Sequence, residues 1–207
     1  MKKWPNIFKF LVIFLIAYLG FTGLTFISPV RKAAVSVYNE AQQIAFNIFH
    51  PTIRTNFKPY NGPAEEYDYA IHIHTKESWN NARSRKNLKP TIISNQNARL
   101  TAFGPFIMLI ALIIGSPINW KKKIFSFLIG SFLICILLSL KYTAVFYEGT
   151  DNDQLRAMFH PKGSSLWISI SNFFNDAFRT HEFLALLIIP IWAITSMNRK
   201  DWIWFLK

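Results

Sequence analysis

Asp68, His72 and His74 are the residues whose types and spacing come nearest to a metal site. They lie in Tyr67-Asp68-Tyr69-Ala70-Ile71-His72-Ile73-His74. If this run is a strand, Asp68, Ala70, His72 and His74 share one face, and Tyr67, Tyr69, Ile71 and Ile73 share the other. Two imidazoles pointing the same way from one strand can ligate a divalent ion. Zinc needs three or four converging ligands, and His50, His160 and His181 are the histidines left to supply them. A solvated face of an amphipathic strand accounts for the same pattern without any ion. The expectation is therefore no cofactor, with a divalent metal on His72, His74 and Asp68 as the alternative.

Lys141, His181 and Glu182 form a second group. Lys141 follows a long apolar run, and His181 and Glu182 open another. Ionisable residues at membrane depth are candidates for function, so these three are the candidate catalytic residues. A lysine near the end of a span can instead snorkel to the headgroups. The third group is Arg83-Ser84-Arg85-Lys86-Asn87-Leu88-Lys89. Arg83, Arg85, Lys86 and Lys89 could hold lipid phosphate or an acidic partner surface. A solvated helix face is the simpler account. The chain has no Gly-rich phosphate loop, no His-Glu-x-x-His and no Gly-x-Ser-x-Gly elbow. One cysteine, Cys135, allows no Cys-x-x-Cys pair and no intrachain disulfide.

The elements that must position these residues are set by four apolar stretches, at about 8–27, 100–118, 124–145 and 178–197. A helix needs about 20 mostly apolar residues to cross a hydrocarbon layer about 30 Å thick. The fold class expected is an all-α polytopic membrane protein with four transmembrane helices and a mixed α/β extracytoplasmic segment between the first two. The chain of 207 residues is 51% hydrophobic and holds 20 phenylalanines, concentrated in those stretches, so lipid-facing surface explains the content better than a soluble core. Its formal charge is +12. No aromatic-basic nucleic-acid module accompanies that charge, so membrane lipid and topology signals are the reading, with no nucleic acid.

Lys2 and Lys3 precede the first stretch, which is longer than a cleavable signal core and lacks an Ala-x-Ala site. An uncleaved signal anchor over 1–28 is expected. The link Asn119-Trp120-Lys121-Lys122-Lys123 is short enough to make residues 100–146 a hairpin, and its lysines mark the cytoplasmic side. Arg199, Lys200 and Lys207 put the C-terminal tail on that side too. Residues 29–99 and 147–177 then lie outside, carrying all histidines except His181, which sits at the outer mouth of the last span. The last part, 178–197 plus tail to 207, is less regular. Pro190 lies within it, and Leu166, Trp167, Ile170, Phe173, Phe174 and Phe178 recur at helical spacing just before it. That recurrence predicts an interfacial amphipathic helix.

Within 29–99, Ser28-Pro29 is a helix-start signal. Ala34, Val37, Ala41, Ile44, Ala45 and Ile48 then recur at helical spacing up to Pro51. This predicts an amphipathic helix packed on a partner, on the other outer segment or on the membrane surface. Tyr60-Asn61-Gly62-Pro63 is a turn. The histidine strand needs a second strand, for which Pro90–Ser94 is the candidate, with a short basic helix over Trp79–Leu88 between them.

The function expected is an integral inner-membrane accessory or structural subunit of a multiprotein complex. It would use its outer segments to contact other membrane or periplasmic subunits, with both termini cytoplasmic. A membrane-embedded enzyme acting on a lipid or lipid-linked substrate, and a channel or transporter component, are the alternatives.

Overall fold

The computed structural model describes residues 6–50, 53–60, 67–81, 92–148 and 181–197. In chain order the elements are α1 (Asn6–Leu24), α2 (Ser28–Phe49), β1 (Ile53–Pro59), β2 (Tyr69–Thr75), α3 (Lys76–Asn81) and β3 (Ile92–Gln96). A π-helical turn (Arg99–Phe103) then leads into α4 (Gly104–Gly115), followed by α5 (Trp120–Glu148) and α6 (His181–Ser196). The molecule is mostly helical with one small sheet. It divides into two compact units, each built from separate stretches of chain: residues 1–31, 102–134 and 181–207, and residues 32–101 and 135–180.

In the first unit, α4 packs against α1 and against α6. Leu109 and Ala111 on α4 and Ile188 on α6 are fully buried. Two glycines mark close approach. A Cβ on Gly115 would sit 3.0 Å from the Phe10 ring, and one on Gly130 would sit 2.7 Å from a Leu109 methyl. Phe10 also stacks on Trp192 with ring centroids 5.6 Å apart. Trp192 Nε1 donates to Ser116 Oγ at 2.8 Å, and Ser116 Oγ donates to Leu112 O.

Two helices, α1 and Trp120–Phe146 of α5, are long and apolar enough to cross a membrane. Almost all of α1 faces outward: Ile7, Leu11, Leu15, Ile16 and Leu19 are exposed. Of the other two expected spans, one is a shorter apolar helix, Thr101–Gly115, and the other is described from His181, with an apolar part over Leu186–Ser196. At ~1.5 Å per residue Thr101–Gly115 covers less than the ~30 Å hydrocarbon layer. The reason on the second stretch is local. Ser116 is already extended, and Pro117 follows it, so the helix stops before the apolar run does.

The lysine link is also shorter than its sequence suggests. Helix α5 begins at Trp120, so Lys121, Lys122 and Lys123 form its first turn. Asn119 Oδ1 accepts from the Lys122 amide at 2.9 Å, a side-chain cap of that turn. Cations at a helix N-terminus oppose the macrodipole. Lys123 escapes this by reaching back to donate to Ile114 O at 2.8 Å, at the end of α4.

The second unit holds an antiparallel sheet in the order β1-β2-β3. The histidine strand is the middle one. β3 falls over part of the expected second strand, and α3 overlaps the start of the short basic helix expected over Trp79–Leu88, the rest of which lies outside the described residues. β1 has the alternation of a half-buried strand, with Ile53, Thr55 and Phe57 inside.

Helix α2 runs from the Ser28-Pro29 signal to Phe49, as its spacing predicts. Its buried residues are Val35, Tyr38, Asn39, Gln42, Ala45 and Phe46. Of the predicted stripe, Ala45 alone is buried. Ala34, Val37, Ala41, Ile44 and Ile48 are exposed. The helix thus turns part of its polar surface inward: Tyr38 and Gln42 meet polar partners on α5, while the buried Asn39 amide meets none among the described residues.

Candidate functional site

β1 and β2 pair Arg54 with His74, Asn56 with His72 and Lys58 with Ala70. Side chains of directly opposed residues share a face. The histidine face therefore carries two cations, Arg54 and Lys58, and meets Ile93 on β3 opposite His72. His74 is buried beside Trp79, ring centroids 5.2 Å apart. Burial, and secondarily the Lys58 ammonium, hold the His72 imidazole below its ordinary value of 6.5, in the neutral form. Asp68 turns away from this face: its Oδ2 accepts from the Ala98 amide at 2.9 Å. Among the described residues, no group of three or more His, Cys, Asp or Glu converges as metal ligands.

The opposite face of the sheet leads into a chain of buried hydroxyls. Tyr38 Oη lies 2.8 Å from Tyr142 Oη, which lies 2.6 Å from Tyr69 Oη, which lies 3.0 Å from Thr101 Oγ1. The residues come from α2, α5, β2 and the π-helical turn. Proton counting orders the chain, because each hydroxyl has one proton. Thr101 donates to Asn97 O at 2.7 Å. Tyr69 must therefore donate to Thr101, Tyr142 to Tyr69, and Tyr38 to Tyr142. Tyr69, Tyr142 and Tyr38 are all buried. Burial, first of all, raises the Tyr38 and Tyr69 phenols above their ordinary value of 10.0. They stay neutral at physiological pH and supply no base.

The same counting fixes two neighbours. Ser139 Oγ donates to Cys135 O at 2.8 Å, so it can accept from Gln42 Nε2 at 2.9 Å. Thr143 Oγ1 donates to Ser139 O at 2.7 Å, so His50 Nε2, 2.6 Å away, is the donor to Thr143. Ser139 and Thr143 spend their protons on the helix's own carbonyls and leave lone pairs for Gln42 and His50. Tyr38, Gln42 and His50 sit four and eight residues apart, one helix stripe, and all three find partners on α5.

Lys141 is also buried, and its Nζ meets no hydrogen-bond acceptor among the described residues. His181 and Glu182 open α6, but their side chains lie outside the described residues. So do His160, the basic run Arg83, Arg85, Lys86 and Lys89, and the expected interfacial helix over 166–178.

Of the residues singled out by type and spacing, the structure brings Asp68, His72 and His74 onto one strand and its entry without joining them in a site. What that reading missed is the hydroxyl chain. Its signal was present only in part: Tyr69 falls on the inward face of the alternating run, but nothing in spacing links it to Tyr38 or Tyr142. No family model, no curated protein and no solved structure matches the chain.

Proposed function

We propose that the chain is an integral membrane accessory subunit of a multiprotein membrane complex, whose extracytoplasmic segment presents a surface to other subunits. One observation carries this reading. Val37, Ile44 and Ile48 on α2 are 70%, 63% and 69% exposed, while the same helix buries Asn39 and Gln42. A helix that folds its polar groups inward and leaves its aliphatic stripe outside is short of a cover. The chemistry around it agrees, because the buried phenols are held neutral and their protons are committed to one another.

In this reading α1 and α5 cross the cytoplasmic membrane of a bacterium, the shorter apolar helices α4 and α6 complete a multi-pass bundle, and both termini are cytoplasmic. Residues 29–99 then face the periplasm. The test is extraction in a gentle detergent followed by co-purification and mass spectrometry. Stoichiometric membrane or periplasmic proteins are expected with the chain. A clean chain with lipid alone overturns the reading.

A further inference from the structure

We propose that the outer face of α2 is a self-association seam, on which a second copy of this chain packs its own α2 antiparallel. The proposal rests on the reading of that face as an interaction surface and names what covers it. Besides Ala33 and Phe49, which flank it, the exposed apolar residues of α2 form one stripe, Val30, Ala34, Val37, Ala41, Ile44 and Ile48. Their spacing is four, three, four, three, four, the a/d repeat of two helices packed side by side. A lipid-facing stripe is broader than an a/d seam. α1 shows the difference, since its exposed apolar residues cover all but the Phe10 side.

The sizes along the seam suit its own reverse. Centred on Asn39, antiparallel packing puts Val30 against Ile48 of the second copy, Ala34 against Ile44, and Val37 against Ala41. Each alanine then meets a β-branched side chain, which fills the notch a smaller residue leaves. Parallel packing instead stacks Ala34 on Ala34 and Ile44 on Ile44, alternating gaps with crowding.

Charge points the same way. The first turn of α2 carries no acidic residue and its last turn no basic one. Arg31 thus sits at the end of its own helix where a cation is disfavoured. Antiparallel packing brings it beside the last turn of the other α2, where a cation is favoured. One term opposes the contact: Glu40 on the seam's edge comes opposite Glu40 of the second copy, and like charges repel.

The test uses the full chain with Cys135→Ser, in membranes. Val37→Cys and Ala41→Cys chains are co-expressed and oxidised. Both positions are exposed, so the substitutions leave the packed face intact. A disulfide-linked dimer is expected at roughly ten times the yield of a Ser36→Cys with Gln43→Cys pair, because only seam positions bring Cβ atoms within about 4.5 Å. Glu40→Gln should raise the dimer yield further, and added salt should do the same for the Val37→Cys and Ala41→Cys pair that keeps Glu40. No dimer, or equal yields on and off the seam, overturns the proposal. So does a cross-link to a different protein in place of the dimer. That last result leaves the accessory-subunit reading standing. A dimer that co-purifies with no other protein does the reverse.

Discussion

In the first unit Trp192 donates a hydrogen bond to Ser116 and stacks on the Phe10 ring. In the second unit Tyr142 is as buried as Trp192, yet its hydroxyl meets two other phenols. The two interiors solve different problems. In the first, helices close on one another through glycine and aromatic rings. Such packing tolerates sliding by a fraction of an ångström, since carbon contacts have no direction. In the second, a sheet and two helices must meet in one register, and a one-residue slip turns a strand inside out. Hydroxyls whose protons can be counted in only one order specify that register more sharply than carbon does. Buried polar groups are costly unless satisfied, so a wrong register leaves several of them orphaned.

The largest test of this contrast removes the shared phenol. Tyr142→Ala should cost the second unit about 3–5 kcal/mol, the range for truncating a large buried aromatic. Hydrogen exchange should show protection lost on α2 and β2, with the amides of α4 largely unaffected. If α4 loses protection equally, the two units do not unfold separately and the comparison breaks.

A smaller test asks whether the hydroxyl chain has the direction proton counting assigns. Tyr142→Phe deletes an acceptor and strands the buried Tyr38 proton, at about 1–3 kcal/mol. Tyr38→Phe removes only the first donor; Tyr142 keeps its bond to Tyr69, and the loss should be about 0.5–1.5 kcal/mol. Equal losses, or a larger one for Tyr38→Phe, reverse the assigned direction. Above about pH 10 the Tyr38 and Tyr69 phenols add a further effect. Their raised values stabilise the fold below the unfolded value of 10.0, and that contribution is lost as pH rises through the folded values.

In the first unit the matching probe is steric. Gly115→Val pushes two methyls toward the Phe10 ring and backbone oxygen, 3.0–3.3 Å from where the Cβ alone would sit. Overpacking of this kind costs about 1–3 kcal/mol. The loss should appear as weaker protection on α1 and α4 and leave β2 as it was.

How much of this was legible in the sequence differs along the same line. α1 and α5 follow from length and apolar content, which are one-dimensional properties. The middle strand follows from alternation, and α2 from its start signal and stripe. The stripe's burial was not legible, because which face turns inward depends on Ser139, Tyr142 and Thr143 about a hundred residues away. β1 had the right alternation, Ile53, Thr55 and Phe57 against Arg54, Asn56 and Lys58. Three inward residues after Pro51 were too short a run to separate from a loop. Asp68, His72 and His74 do not meet in one group, for a reason equally non-local: the register sets Arg54 and Lys58 beside the histidines, and the Ala98 amide holds Asp68.

That last point yields the smallest and most specific measurement. His72 is held neutral by burial, with Lys58 second, and its folded value lies below the unfolded value of 6.5. The unfolded chain therefore takes up a proton at a higher pH than the folded one does. The sheet should be at full stability above about pH 6.5 and lose stability as pH falls through the lowered folded value. Hydrogen exchange on β2 as a function of pH reads this directly, and His72→Gln should flatten that part of the profile. A divalent ion on His72 and His74 would also hold the imidazole unprotonated, so the profile alone does not separate the causes. A chelator does. Burial and the Lys58 charge are unchanged by metal removal, so the acid limb should stay where it is in the chelator's presence. Lys58→Gln should move it toward 6.5, by less than full exposure of the ring would. A limb that shifts on chelation and ignores Lys58→Gln would restore the metal reading and make the cationic face a poor guide to what the histidines hold.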